Sequence, residues 1–204
     1  MKKLQERIQK SKKVGLFGGT FDPVHNGHLI ISKYILEKAG LDIIVFIPSA
    51  NPPHKSHELM FGPDERYKML AAALKKEPDF AVSDIEMKRK GFSFTIDTIR
   101  TFRKLMSPDA ELYFIIGKDT LYEIKMWKDP EDIIKECTLL VADRVCHNER
   151  TVPGWITEKA RFIETPLIEI SSTEIKKRIA EFKSIRSFVP DKVADMIEKK
   201  LLQK

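Results

Sequence analysis

Apolar residues in this chain fall in short dense runs, and stretches of helical periodicity separate them. Val14 to Phe17, Ile43 to Ile47, Leu112 to Ile116 and Cys137 to Ala142 are four such runs. They are rich in β-branched or aromatic residues, and none alternates cleanly. Strands buried on both faces of a parallel sheet read this way. Phe80 to Ile85 and Phe162 to Thr165 are two further candidates. Between the runs, His28 to Ala39 places Ile31, Ile35 and Ala39 on one helical face. Asp64 to Leu74 follows Gly62-Pro63 and carries Met69, Leu70 and Ala73 for packing. Thr95 to Leu105 has Ile96, Ile99 and Phe102 at helical spacing. Thr173 to Ile179 and Asp191 to Leu202 are two more helical stretches, the last amphipathic and suited to lidding a core. Strands alternating with helices predict βαβ units with right-handed crossovers. The expected class is α/β: an open, doubly wound, mostly parallel sheet with helices on both faces. Ligands would bind at the carboxyl ends of its strands.

Length and composition narrow this picture. The 204 residues suit a single domain, 1–204, with 170–204 as a C-terminal helical part. Charged residues make up 32% and the hydrophobic set 42%, a globular balance. The formal net charge of +6 is spread along the chain, without a basic stripe interleaved with aromatics. It argues only weakly for nucleic acid and equally well for a small polyanionic substrate, and no nucleic-acid partner is expected. The basic amino-terminal stretch MKKLQERIQKSKK has no apolar run behind it long enough for a signal core, and no run is long enough to span a membrane. A cytoplasmic location and no membrane partner are expected. Cys137 lies in an apolar run as a packed thiol. Cys146 stands beside His147 without companion ligands for a metal.

The chemistry concentrates in Gly18-Gly19-Thr20-Phe21-Asp22-Pro23-Val24-His25-Asn26-Gly27-His28. Two glycines follow a strand and remove side chains where the backbone must approach something closely. Asn26-Gly27 is a second permissive point, and His28 falls in the first turn of a helix. Free backbone N–H groups and the helix dipole favour an anion there. Three readings stand at this point. The stretch is a phosphate cradle with two histidine donors, a plain strand-turn-helix connection, or a zinc site built on Asp22, His25 and His28. It lacks the glycine spacing of a dinucleotide fingerprint and the Gly-Lys-Ser/Thr close of a Walker loop.

The stretch resembles the signature of the nucleotidyltransferases with an HxGH motif, and its GGTFDPVHxGH form resembles the bacterial nicotinate-nucleotide adenylyltransferases. Other segments agree. Pro52-Pro53-His54-Lys55 resembles that family's PPHK loop, and Ser93-Phe94-Thr95-Ile96-Asp97-Thr98 its SYTxDT segment. Ile116-Gly117-Lys118-Asp119 resembles its GxD turn, with Trp127 beyond. Ile170-Ser171-Ser172-Thr173-Glu174-Ile175-Lys176 resembles its ISSTxIR ending. Two positions depart from the pattern. Lys176 stands for an arginine and loses the bidentate fork, while Phe94 stands for a tyrosine and loses a hydroxyl.

The resemblance implies a Rossmann-like fold and adenylyl transfer from ATP to nicotinate mononucleotide, giving deamido-NAD and pyrophosphate. It implies His25, His28 and Lys55 as catalytic groups. It assigns Gly18, Gly19, Thr20, Phe21, Ser172, Thr173 and Lys176 to ATP and its phosphates, so that 170–204 completes the ATP site. It assigns Phe94, Thr95, Asp119 and Trp127 to the nicotinate nucleotide. Mg²⁺ is expected with ATP as co-substrate, held by no dedicated carboxylate cage of the protein. Oligomeric state is open, a homodimer included. Two other readings keep different acceptors or no chemistry: phosphopantetheine or nicotinamide mononucleotide in place of the acid, and a non-enzymatic basic module binding RNA or a protein.

Overall fold

The computed structural model describes residues 2–50, 59–89, 91–143 and 154–202. The apolar runs become strands β1 (Lys13–Gly19), β2 (Ile43–Pro48), β3 (Phe80–Val82), β4 (Glu111–Gly117), β5 (Thr138–Asp143) and β6 (Ala160–Glu164). They form one sheet in the order β3-β2-β1-β4-β5-β6, and every pairing is parallel. The helices are α1 (Lys2–Lys10), α2 (Asn26–Ala39), α3 (Pro63–Ala73), α4 (Thr95–Leu105), α5 (Lys118–Glu123), α6 (Pro130–Glu136), α7 (Gly154–Thr157), α8 (Ser172–Ala180) and α9 (Asp191–Leu201), with a 3₁₀ turn at Ile124–Met126.

The unalternating apolar runs have a direct cause, since the central strands are covered on both sides. Ile44 and Phe46 of β2, Tyr113 and Ile115 of β4, and Leu140 and Ala142 of β5 face one core cluster. Residues from α2, α3, α8 and α9 complete it. Their neighbours Ile43, Val45, Ile47, Leu112, Phe114, Ile116, Leu139 and Val141 face the other cluster, with α1, α4 and α6. The doubly wound α/β arrangement, helices on both faces, is thus present. The C-terminal part is continuous with this core, because Val193, Ala194 and Ile197 of α9 are fully buried in the first cluster.

Element ends differ from the sequence expectation where local chemistry decides them. The second helix starts two residues early, at Asn26, and α3 starts at Pro63, whose fixed φ suits a first helical position. β3 stops at Val82 instead of continuing to Ile85. The basic amino-terminal stretch is the helix α1, which no strong apolar stripe announced; Ile8 alone is its fully buried anchor. Cys137 is a packed thiol as expected, its Sγ donating to Ile133 O at 3.3 Å and its pKa pushed up by burial to about 12. Among the described residues, no helix is long and apolar enough to cross a membrane.

Candidate active site

The chain winds from β1 outward to β2 and β3, then returns to lay β4 on the other side of β1. Crossovers diverge at that point, so a crevice opens above the carboxyl ends of β1 and β4. Two cavities occupy it. The larger, about 640 Å³, lies against His25, Gly27, His28, Lys118, Asp119, Ser171 and Ser172. The smaller, about 260 Å³, lies against Gly18, Gly19, Thr20, Phe94, Thr95, Trp127 and Lys128. They share a wall of Phe17, Ile115, Ile116, Gly117 and Thr120.

Tight sterics build the floor beneath the histidines. A Cβ on Gly19 would stand 2.9 Å from the Phe21 ring, and one on Gly27 would stand 3.0 Å from His25 Nδ1. Phe21 is 3% exposed and holds a left-handed φ of 50°, which costs about 1–3 kcal/mol and persists because its ring packs edge-on to Phe17 and His28. The rings of His25 and His28 stack with centroids 3.6 Å apart. His25 is the N-cap of α2, and its backbone N–H donates to His28 Nδ1 at 3.3 Å. That bond occupies the Nδ1 lone pair. The neutral ring then carries its proton on Nε2, as an outward donor.

Asp22 is the clasp of the loop. Its carboxylate accepts from the N–H groups of Met60 at 3.0 Å and Phe61 at 2.9 Å, and from Lys176 Nζ at 3.4 Å. Arg66, fully buried, donates to Thr20 O at 2.7 Å and to Phe61 O at 3.2 Å. Burial pushes the Arg66 guanidinium below its ordinary pKa, and the Asp22 charge opposes that shift. On the far side, Ser172 Oγ donates to Pro23 O at 3.0 Å and ties α8 to the same loop. The N-cap of α8 is Ser171, whose Oγ accepts from Glu174 N–H at 3.1 Å. The cap therefore uses the third N–H of the helix. Those of Ser172 and Thr173, which helix geometry leaves without intrahelical partners, stay available for an anion.

The smaller cavity is aromatic with polar groups set into it. Trp127 stands edge-on to Phe114, with ring centroids 6.1 Å apart. Phe94 is the N-cap of α4 and supplies no side-chain cap. Glu86 is buried in the wall and accepts from Thr98 Oγ1 at 2.8 Å. Burial raises its pKa, against the opposing pull of Thr98, Ser93 and Arg89.

The structure gathers most of the expected site residues in this crevice but sorts them differently. Phe94, Thr95 and Trp127 line the smaller cavity, whereas Asp119 lines the larger one with the histidines and Ser172. Gly18, Gly19 and Thr20 line the smaller cavity at the boundary between the two. Phe21 lies beneath the floor, and Thr173 and Lys176 line neither cavity. Lys55, with Pro52, Pro53, His54 and His57, lies outside the described residues, as do Cys146 and His147. Asp22, His25 and His28 do not assemble as a zinc site, because the Asp22 carboxylate is spent on backbone N–H groups. Among the described residues, no group of three or more His, Cys, Asp or Glu could hold a metal ion. Sequence reasoning missed Arg66, Glu86 and Lys128. The first two carry no local signal, while Lys128 could have been found from its place next to Trp127.

Known proteins give the same picture. The cytidylyltransferase-like family matches residues 16–178. A Clostridium tetani protein named "Probable nicotinate-nucleotide adenylyltransferase" is 40% identical over 195 residues, covering 92% of this chain and 97% of its own. A protein of the same name from Clostridium novyi is 38% identical over 200 residues, covering 95% and 100%. The fold is like that of Plasmodium falciparum nicotinic acid mononucleotide adenylyltransferase, solved with NaAD, at a TM-score of 0.74 and 20% identity over 93% of this chain and 96% of that one. With relatives this similar along nearly its whole length, the chain belongs to the nicotinate-nucleotide adenylyltransferase family, within the wider cytidylyltransferase-like family.

Proposed function

We propose that the protein transfers the adenylyl group of ATP to nicotinate mononucleotide, forming deamido-NAD and releasing pyrophosphate. The observation that carries this reading is the pair of unequal cavities meeting at the carboxyl ends of β1 and β4, with the histidine pair on one side and Trp127 on the other. The larger cavity has the size and the exposed Leu167 and half-buried Ile168 and Ile170 to take a nucleoside triphosphate. The smaller has aromatic rings for a pyridine.

A phosphate oxygen of the mononucleotide attacks the α-phosphorus of ATP, the bond to the β-phosphate oxygen breaks, and the electron pair leaves with pyrophosphate. The attacker is already an anion, so no general base is needed; alignment and charge stabilisation supply the rate. His28 Nε2–H donates to the transferring phosphoryl group, and His25 holds the ring in place by its backbone N–H and by stacking. The N–H groups of Ser172 and Thr173 receive phosphate oxygens at the start of α8. Gly18, Gly19 and Thr20 let the polyphosphate approach the end of β1, over the floor that Phe21 makes. Asp119, exposed in the larger cavity, accepts from a ribose hydroxyl of the ATP. Lys176 reaches the phosphates only by leaving Asp22, and Lys55 is assigned to the same phosphates by the family pattern alone. ATP is taken as its Mg²⁺ complex, in which the ion offsets charge on the leaving pyrophosphate.

Pyrophosphate release is measured from ATP with nicotinate mononucleotide, nicotinamide mononucleotide and phosphopantetheine as separate acceptors. Release with nicotinate mononucleotide is expected to be fastest. Release with phosphopantetheine alone overturns the acceptor, and release with none of them overturns the reaction.

A further inference from the structure

We propose that Arg66 is a positioning residue for adenylyl transfer: its buried guanidinium draws the Thr20 carbonyl inward and so turns the Phe21 N–H toward the crevice, as a fixed donor to a phosphate oxygen. This rests on the reaction above. Arg66 lines neither cavity, and it is fully buried in α3, 46 positions from the residue it holds. Taking a guanidinium out of water is unfavourable, and a buried ion is weak evidence for stability. Its contacts all fall on the loop after β1 and the clasp beside it. Nη1 donates to Thr20 O at 2.7 Å and Nε to Phe61 O at 3.2 Å, while the Asp22 carboxylate supplies an opposing charge. Nη2, also buried, has no hydrogen-bond partner among the described residues. A guanidinium kept in the core with one arm unsatisfied is better explained by where it holds the chain than by the stability it adds.

The peptide plane carries the effect from the guanidinium to the crevice. In a planar trans peptide the C=O of one residue and the N–H of the next point to opposite sides. Thr20 O faces Arg66, so the Phe21 N–H faces away from it. Thr20 lines the smaller cavity where it meets the larger one, and the side away from α3 is therefore the crevice side. Among the described residues, no hydrogen bond takes up the Phe21 N–H. A backbone donor in a buried loop needs an acceptor, and a phosphate oxygen entering the crevice is one. The left-handed φ of 50° at Phe21 is held from both ends of this bend. Arg66 fixes the carbonyl before it, and the Phe21 ring packs edge-on to His28 with centroids 5.0 Å apart. One residue thus couples the backbone donor to the histidine ring. Two donors held in a single frame meet the charge on the transferring group without rearranging.

The test compares wild type, Arg66→Met and Arg66→Lys by pyrophosphate release, with ATP and nicotinate mononucleotide varied separately, beside a thermal melt. Misplacing one preorganised donor predicts that kcat falls about 10²-fold in Arg66→Met while both KM values stay within about threefold. Arg66→Lys keeps the charge beside Asp22 and so the fold, but one ammonium cannot hold Thr20 O and Phe61 O together; a fall in kcat of about tenfold is expected. A second readout needs no turnover. The Phe21 amide resonance of ¹⁵N-labelled protein should move when Mg²⁺-ATP or nicotinate mononucleotide is added to wild type, and should move much less in Arg66→Lys at saturating ligand. A kcat within about threefold of wild type in either folded variant, or a wild-type Phe21 amide that neither ligand moves, overturns this proposal and leaves the reaction standing. A lowered Tm with kcat and the amide response intact shows a purely structural Arg66 and overturns it as well. A wild type that releases no pyrophosphate with nicotinate mononucleotide overturns the reaction and this proposal with it.

Discussion

Replacing Gly27 by alanine separates stability from catalysis in this site. The added Cβ would lie 3.0 Å from His25 Nδ1, 3.2 Å from its Cε1 and 3.4 Å from Ile168 Cγ2. His25 is 6% exposed and stacked at 3.6 Å on His28, so it cannot yield without pushing the second ring. Two stability effects oppose each other. Alanine in a helix is better than glycine by up to about 1 kcal/mol, and a few tenths of an ångström of overpacking costs about 1–3 kcal/mol. The net change should be a loss of about 1 kcal/mol, a shift of roughly 2–4 °C in Tm for a domain of this size. Catalysis has no such compensation. A shift of the Nε2 donor by a fraction of an ångström misplaces the group aimed at the phosphoryl oxygens, and kcat should fall about 10- to 100-fold. Pyrophosphate release at saturating substrates and a thermal melt measure the two quantities side by side. A kcat within about threefold of wild type would refute the account of His25 as the wedge that positions His28. A Tm loss above about 10 °C would refute the stability balance instead.

Three other outcomes are expected. His28→Ala should lower kcat by about 10²–10³ while Tm stays within a few degrees, because the ring donates mainly in the transition state; near-normal turnover would remove His28 from the mechanism. Asp22→Ala should destabilise the protein by about 3–5 kcal/mol in urea unfolding, because Arg66 loses its counter-charge and two backbone N–H groups lose their acceptors; a loss below about 1 kcal/mol would show that the clasp is not structural. For Glu86, burial raises the folded pKa above the ordinary 4.5, so the unfolded chain gives up its proton first as pH rises, and folding stability falls between 4.5 and the raised value. Glu86→Gln cannot titrate and still offers Thr98 an acceptor, so its stability relative to wild type should grow with pH across that window; a constant difference between urea midpoints at acid and neutral pH would contradict the burial effect.

Much of the fold was legible because local patterns carry it. Burial on both faces leaves no reason to alternate, and β2, β4 and β5 therefore announce themselves as unbroken apolar runs. The helix Thr95–Leu105 has the expected bounds, since Ile96, Ile99 and Phe102 mark its buried face and all three are buried. The glycines, His25, His28 and Ser172 were singled out for a different reason: a close backbone approach and a helix start that suits an anion call for those residue types in that local order, whereas Trp127 came only from the family resemblance.

What the chain could not disclose locally depends on contacts between distant residues. The helix α1 has only Ile8 fully buried, and the packing that stabilises it is visible only once the sheet exists. The motif offered Asp22 only as a zinc ligand, yet it joins a loop to residues 38 and 39 positions on and to Lys176, 154 positions on. Asp119 and Trp127 are eight positions apart and belong by sequence to one turn. The sheet end sends the first into the larger cavity and the second into the smaller. Lys128 looks like any surface lysine until Phe94 and Asp97, some thirty positions earlier, are brought beneath it. Residue order determined the strands, the helices and the glycine-rich loop after β1, because those need only neighbours. The partition of the crevice, the clasp on Asp22 and the charge beside Trp127 arose only when the crossovers placed β4 against β1, because each is a juxtaposition across that switch of direction.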